Sequence, residues 1–168
     1  MKDKYKHLLN FTANIISLAV EAAMFGWVWY MLYIPMLDKA NTFFNRGNWA
    51  VIGMYVLFVF FFTKIFGGYR IGYMRISDII LSQILAVILA MIVAYFEICL
   101  VANDYLPPQP LLLMTVTEII FIVPWVVLVR KAYTRLYPPR QMLVIYGNYS
   151  PDDLIAKINT RKDKYNIC

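Results

Sequence analysis

The chain has 168 residues, of which 61% are hydrophobic, 17% aromatic and only 15% charged, and its mean hydropathy is +0.60. Soluble domains carry about 45–50% apolar and about 25% charged residues, so an ordinary soluble fold is excluded, and the gathering of apolar residues into runs points to an integral membrane protein. The net charge of +6 rests on Lys and Arg that flank those runs, which assigns it to topology and anionic lipid rather than to nucleic acid.

Four runs are long enough to cross a bilayer. The first covers residues 8–34. Lys2, Lys4 and Lys6 precede it as they would a signal peptide, but it is too long, has no small-residue cleavage site and contains Glu21, so a retained span is expected. The second covers 49–66, with Lys64 able to snorkel at its end. The third covers 76–101. The fourth, 111–129, is near the minimum length for a helix rising about 1.5 Å per residue. The expected fold class is therefore a membrane all-α domain over residues 1–137, a bundle of four transmembrane helices.

Basic residues set the expected orientation. Lys2, Lys4 and Lys6, then Lys64, Arg70 and Arg75, then Arg130, Lys131, Arg135 and Arg140 fall in alternate connections. The opposite loops hold only Lys39 and Arg46, and none in "NDYLPPQP". Both termini are thus expected on the cytoplasmic side.

Within the spans, Ser82, Ala86, Ala90 and Ala94 recur at every fourth position of helix three, as do Ala22 and Gly26 in helix one. Such rows let a second backbone approach closely. They are read as packing inside the bundle, with a face for a homo-oligomer as the alternative. Pro124 should kink helix four. Asp78, following Ser77, suits the start of helix three, and Glu97 should emerge at the far interface. Glu21 and Glu118 are different. Both fall mid-span with no basic residue to pair, where a charge costs several kcal/mol. They are read as neutral carboxyls hydrogen-bonded to neighbours such as Asn14, Thr115 and Thr117, with a proton or substrate path between helices one and four as the alternative.

"GGYRIGYMRIS", Gly67 to Ser77, interleaves Tyr69, Ile71, Tyr73 and Met74 with Arg70 and Arg75 after a helix-breaking glycine pair. It reads as a positive-inside anchor, with a polyprenyl-phosphate or anionic lipid contact as an extension. Cys99 and Cys168 have no metal-ligand spacing and His7 has no partner, so no catalytic, cofactor or metal residue is assigned.

After Pro138 and Pro139 the pattern changes. "MLVIY" has the composition of a buried strand, Gly147 permits a turn, and Ser150, Pro151, Asp152 and Asp153 open a helix carried on by Leu154, Ile155 and Ile158. "YNIC" begins a second strand. Residues 138–168 therefore read as a linker and the truncated β-α-β start of a Rossmann-like domain. Only one glycine of G-x-G-x-x-G is present, and two acids stand where a phosphate would sit, so a structural unit is expected rather than a nucleotide site. Two strands make no stable covered sheet, which reads as a fragment of a longer protein.

Four spans, a basic Pro-containing linker and a glycine-bearing β-α-β resemble the N-terminal half of bacterial polyprenyl glycosylphosphotransferases. "FGGYRIGYMRISDII" (66–80) is similar to their aromatic-basic segment, and "RQMLVIYGN" (140–148) to the start of their Rossmann-like domain. The resemblance implies an inner-membrane anchor of an enzyme that moves a sugar-1-phosphate from a nucleotide-diphosphate sugar to undecaprenyl phosphate in exopolysaccharide, capsule or O-antigen synthesis. It places the acid pair and magnesium in a catalytic domain absent from this chain, which is then inactive alone. The alternatives are the anchor of a membrane-bound nucleotide-sugar dehydratase or epimerase, and a non-enzymatic membrane scaffold.

Overall fold

The structure, a computed structural model, describes residues 2–37, 45–70, 74–136, 140–142 and 165–167. Helix α1 (Lys2–Val28) continues through a π-helical turn (Trp29–Tyr33) and a 3-10 turn (Ile34–Met36). Then come α2 (Asn45–Ile65), α3 (Ile76–Ala102), α4 (Gln109–Leu136) and two short strands, β1 (Arg140–Met142) and β2 (Tyr165–Ile167). Among the described residues, four helices are long and apolar enough to cross a membrane, with apolar spans Leu8–Met36, Gly47–Ile65, Ile76–Ala102 and Gln109–Leu136. The chain is by that measure a multi-pass membrane protein.

Three helices end within a few residues of the sequence expectation. The fourth does not. It runs past residue 129 through Arg130, Lys131 and Arg135, because long basic side chains are good helix formers and a cation in the last turn favours the helix dipole. Pro124 lies inside α4, which continues beyond it to Leu136. Pro35 stands in the last, 3-10 turn of this continuous helix, which ends at Leu37 in extended conformation.

Glycine terminates α2 by a specific hydrogen-bond pattern. The Gly68 N–H donates to the Thr63 carbonyl at 2.9 Å and the Gly67 N–H to that of Lys64 at 3.2 Å, with Gly67 at φ +77°. This pair of bonds is the Schellman motif. Asn103 closes α3 in the same left-handed region, at φ 52°; its N–H donates to the Leu100 carbonyl at 3.4 Å.

Successive crossing helices alternate in direction, and the contacts between their ends agree. Near the 66–75 connection, the Asn14 side chain of α1 meets the Tyr69 carbonyl. At the opposite end, Trp29 Nε1 donates to Asn48 Oδ1 at 3.3 Å, the Tyr33 hydroxyl to the Pro107 carbonyl at 3.0 Å, and the Tyr95 hydroxyl to the Leu106 carbonyl at 3.1 Å.

The buried apolar side chains form two clusters. The larger, toward the 103–108 end, holds Phe25, Trp29, Tyr33, Val51, Tyr55, Val59, Ala90, Ala94, Ile98, Leu111 and Met114. The smaller holds Ala13, Ile79, Val87, Ile122, Val126 and Val129. Ala86, Ala90 and Ala94 are fully buried in the bundle, which gives the alanine row a packing partner inside the chain. A Cβ built on Gly26 would lie 3.5 Å from Ile52 Cδ1, so the α1 small-residue site also packs within the bundle, on α2.

The chain divides into two units, Met1–Val129 and Arg130–Cys168. In the second, β1 pairs with β2 in parallel, Arg140 opposite Tyr165, Gln141 opposite Asn166 and Met142 opposite Ile167. The expected strand at "MLVIY" thus meets the described residues only at Met142. Its remainder, the Gly147 turn and the expected helix from Ser150 to Ile158 lie outside the described residues.

Candidate functional site

Alongside the apolar clusters runs a layer of buried and half-buried polar side chains. On α1, Asn10, Asn14, Ser17 and Glu21 are spaced by four, three and four, which aligns them on one helix face. The Ser17 hydroxyl donates to Glu21 Oε1 at 3.1 Å. On α4, Glu118 is 0% exposed, and on α2 so is Tyr55. The Tyr55 hydroxyl lies 2.8 Å from one Glu118 carboxyl oxygen and 2.9 Å from the other. Its ring stacks on Phe25, with centroids 4.2 Å apart and planes 8° from parallel, which holds the phenol in place.

The α2–α3 connection closes this layer on the loop side. Asn14 Nδ2 donates to the Tyr69 carbonyl at 3.5 Å and Gln83 Nε2 to the Gly68 carbonyl at 3.2 Å. Two amides, from α1 and α3, thereby grip consecutive carbonyls just after α2. The fit leaves no room for a side chain at Gly68: a Cβ there would stand 2.9 Å from Thr63 Cγ2 and 3.0 Å from Gln83 Cγ. The Tyr69 phenol approaches Thr63 without a well-formed hydrogen bond. Burial pushes that phenol above its ordinary value.

These contacts define what the layer can do. No Lys or Arg occurs in residues 8–37, 47–63, 76–102 or 109–129, so a carboxylate at Glu21 or Glu118 has no cation on its own level, and an uncompensated charge there costs several kcal/mol. A neutral acid suits the geometry at Glu118, since it can accept the Tyr55 proton on one oxygen and donate its own back from the other. The arrangement holds protons and hydrogen bonds. Among the described residues no group of three or more His, Cys, Asp or Glu is gathered for a metal.

The two mid-span acids stand where the apolar runs placed them, but their partners differ from expectation. Thr115 and Thr117 donate to the Leu111 and Leu113 carbonyls of their own helix, at 2.9 and 2.8 Å, as helical threonines commonly do. Asn14 reaches a loop carbonyl instead. The carboxyl partners are Ser17, legible as one helical turn before Glu21, and Tyr55, which no local pattern marked. Glu97, near the 103–108 end of α3, is half-buried, with Oε2 unpartnered. Asp78 is exposed in the first turn of α3, after an Arg75 N-cap that makes no side-chain bond.

No family model, curated protein or solved structure matches this chain.

Proposed function

We propose that the chain is the membrane anchor of a polyprenyl-phosphate sugar-1-phosphate transferase, residing in a bacterial inner membrane with both termini cytoplasmic. The observation that supports this reading is one of order. Four helices able to cross a membrane satisfy much of their interior polarity among themselves, and a parallel strand pair follows the last of them. A parallel pair requires a crossover connection, which residues 143–164 supply in sequence, as the Rossmann-like start of such an enzyme would. In this reading no residue of the chain is catalytic. The acid pair and magnesium that carry the transfer belong to a further domain of the same polypeptide, and the exposed Arg70 and Arg75 face lipid phosphate beside the undecaprenyl substrate.

The test is the reading frame beyond Cys168 together with a transfer assay. The expected frame encodes a re-entrant helix and an Asp-Glu pair, and the complete polypeptide in vesicles moves sugar-1-phosphate to undecaprenyl phosphate in the presence of magnesium. A glycine-rich dinucleotide fingerprint downstream would replace this reading with a dehydratase or epimerase anchor. A stop codon would replace it with a membrane scaffold. Transfer by residues 1–168 alone would also overturn it.

A further inference from the structure

We infer that the polar layer is a one-sided, hydrated proton site: water enters along α1 from the 66–75 end and exchanges protons with Glu21, while the opposite side is sealed. The inference is independent of the sugar-transferase reading.

Two sets of observations carry it. The first is polarity that protein groups leave unsatisfied. Gln83 is 4% exposed, yet its Oε1 has no partner. Neither do Asn10 Oδ1 and the Tyr69 hydroxyl. Buried polar atoms without protein partners are the places where ordered water sits. These three gather around the α1 row; among the described residues two further unpartnered atoms, Glu97 Oε2 and Trp125 Nε1, are not among its groups. Asn10 begins the row that leads through Asn14 and Ser17 to Glu21. Tyr69 is the residue whose carbonyl Asn14 grips, which sets it against the α1 row. Gln83 holds the preceding carbonyl, beside Thr63.

The second is the asymmetry of the packing. Past Glu21 toward the other end, α1 presents Phe25, Val28, Trp29 and Tyr33, all buried against α2, α3 and the start of α4 in the larger apolar cluster. Aromatic rings stacked at this density exclude water. From Leu8, Glu21 lies about 20 Å along the helix axis, so the polar row reaches deep into the membrane and stops there. The titratable groups around its end are Glu21 on α1, Tyr55 on α2, Tyr69 in the connection and Glu118 on α4. From α3 the facing polar group is Gln83, which does not titrate. At the mouth, Lys64, Arg70, Arg75 and Asp78 are exposed.

The exchange is balanced without any co-reactant. A proton leaves the carboxyl for water and another returns from water; only O–H bonds break and form. In vesicles holding the full chain, infrared spectra should show a protonated-carboxyl carbonyl band that moves to lower frequency within minutes of transfer to D2O. Glu21→Gln should abolish the exchanging component. A carboxyl band that stays unshifted while loop amides exchange refutes the inference, as does its persistence in Glu21→Gln.

Sidedness has its own readout, which also covers a Glu21 variant that fails to fold. In a background with Cys99→Ala and Cys168→Ala, Ser17→Cys should react with an impermeant thiol reagent supplied from the Arg70 side only. Phe25→Cys should react from neither side. Asn14→Cys, nearer the mouth, should react faster than Ser17→Cys. Labelling of Ser17→Cys from the opposite side, or no labelling at either row position, overturns the proposal.

Discussion

Replacing Tyr55 by Phe isolates one hydrogen-bonding group at the centre of the bundle. The ring, its stacking on Phe25 at 4.2 Å and nearly all of its volume are kept. What disappears is the hydroxyl that lies 2.8 and 2.9 Å from the two Glu118 oxygens. Two magnitudes bracket the cost. Leaving a buried acceptor unsatisfied costs about 1–3 kcal/mol. Hydrogen bonds between membrane helices average only about 0.6 kcal/mol, with a maximum near 1.7, because the unfolded chain in the membrane also finds partners. Here one hydroxyl serves both oxygens of a carboxyl that is 0% exposed, so the effect should lie at the top of the membrane range, about 1–2 kcal/mol. The assay is reversible unfolding in mixed micelles, followed by tryptophan fluorescence. Glu118→Leu in the Tyr55→Phe background completes the cycle. With both polar partners gone, the second change should cost much less than it does alone, since the penalty comes from the orphaned group. A Tyr55→Phe protein as stable as the parent, or strictly additive costs in the double variant, would show that the phenol and the carboxyl are not coupled.

Other expectations follow from the packing. Gly68→Ala must push aside Thr63 or Gln83 and should cost about 1–3 kcal/mol in the same unfolding assay, with Thr63→Ser in the same chain recovering part of it. Gly67→Ala would meet Met74 Sδ at an ordinary 3.5 Å but sits on a left-handed backbone, and should cost about 1–2 kcal/mol. Ala90→Leu should destabilise the folded bundle, because the site is 0% exposed, whereas Leu100→Ala, at a position 81% exposed, should leave micelle stability nearly unchanged; equal effects would mean that the alanine row does not face the interior. Cysteines introduced at Arg75 and Tyr105, both exposed, should be labelled from opposite sides of a sealed vesicle, and labelling from the same side would contradict four alternating crossings.

Hydropathy made the four helices and their mid-span acids legible, because a run of about 20 apolar residues has few other fates. The alanine row was legible for a similar reason: its four-residue spacing is itself the geometry of a helix face. Tyr55 was not legible. In "MYVLFVFFF" it is one aromatic among several, and what singles it out is a partner 63 positions away that only tertiary packing supplies. The threonines misled in the opposite direction. Thr115 and Thr117 closely precede Glu118 in sequence, yet each hydroxyl has a carbonyl one turn back on its own helix, a local solution that wins over a longer reach. The extension of α4 was hidden because hydropathy marks where a span leaves lipid, and a helix can continue well past that point.

The π turn at Trp29–Tyr33 has a consequence for how this first span tolerates change in length. Such a turn is, in effect, an α-helix carrying one surplus residue, and its signature here is the Ile34 N–H reaching back to the Trp29 carbonyl. Before it, α1 is phased so that Ser17, Glu21 and Phe25 look inward. After it, Tyr33 must meet the Pro107 carbonyl. The wide turn absorbs the surplus residue, so both settings hold along one span. Deleting the exposed Met31 would leave four regular α-helical residues that turn through about the rotation the five now cover, so Tyr33 should keep its face and its reach to the Pro107 carbonyl. The span therefore has one place where a residue of length can be lost at little cost. The same deletion near Ser17, in regular helix, would rotate one side of the span against the other by about 100°.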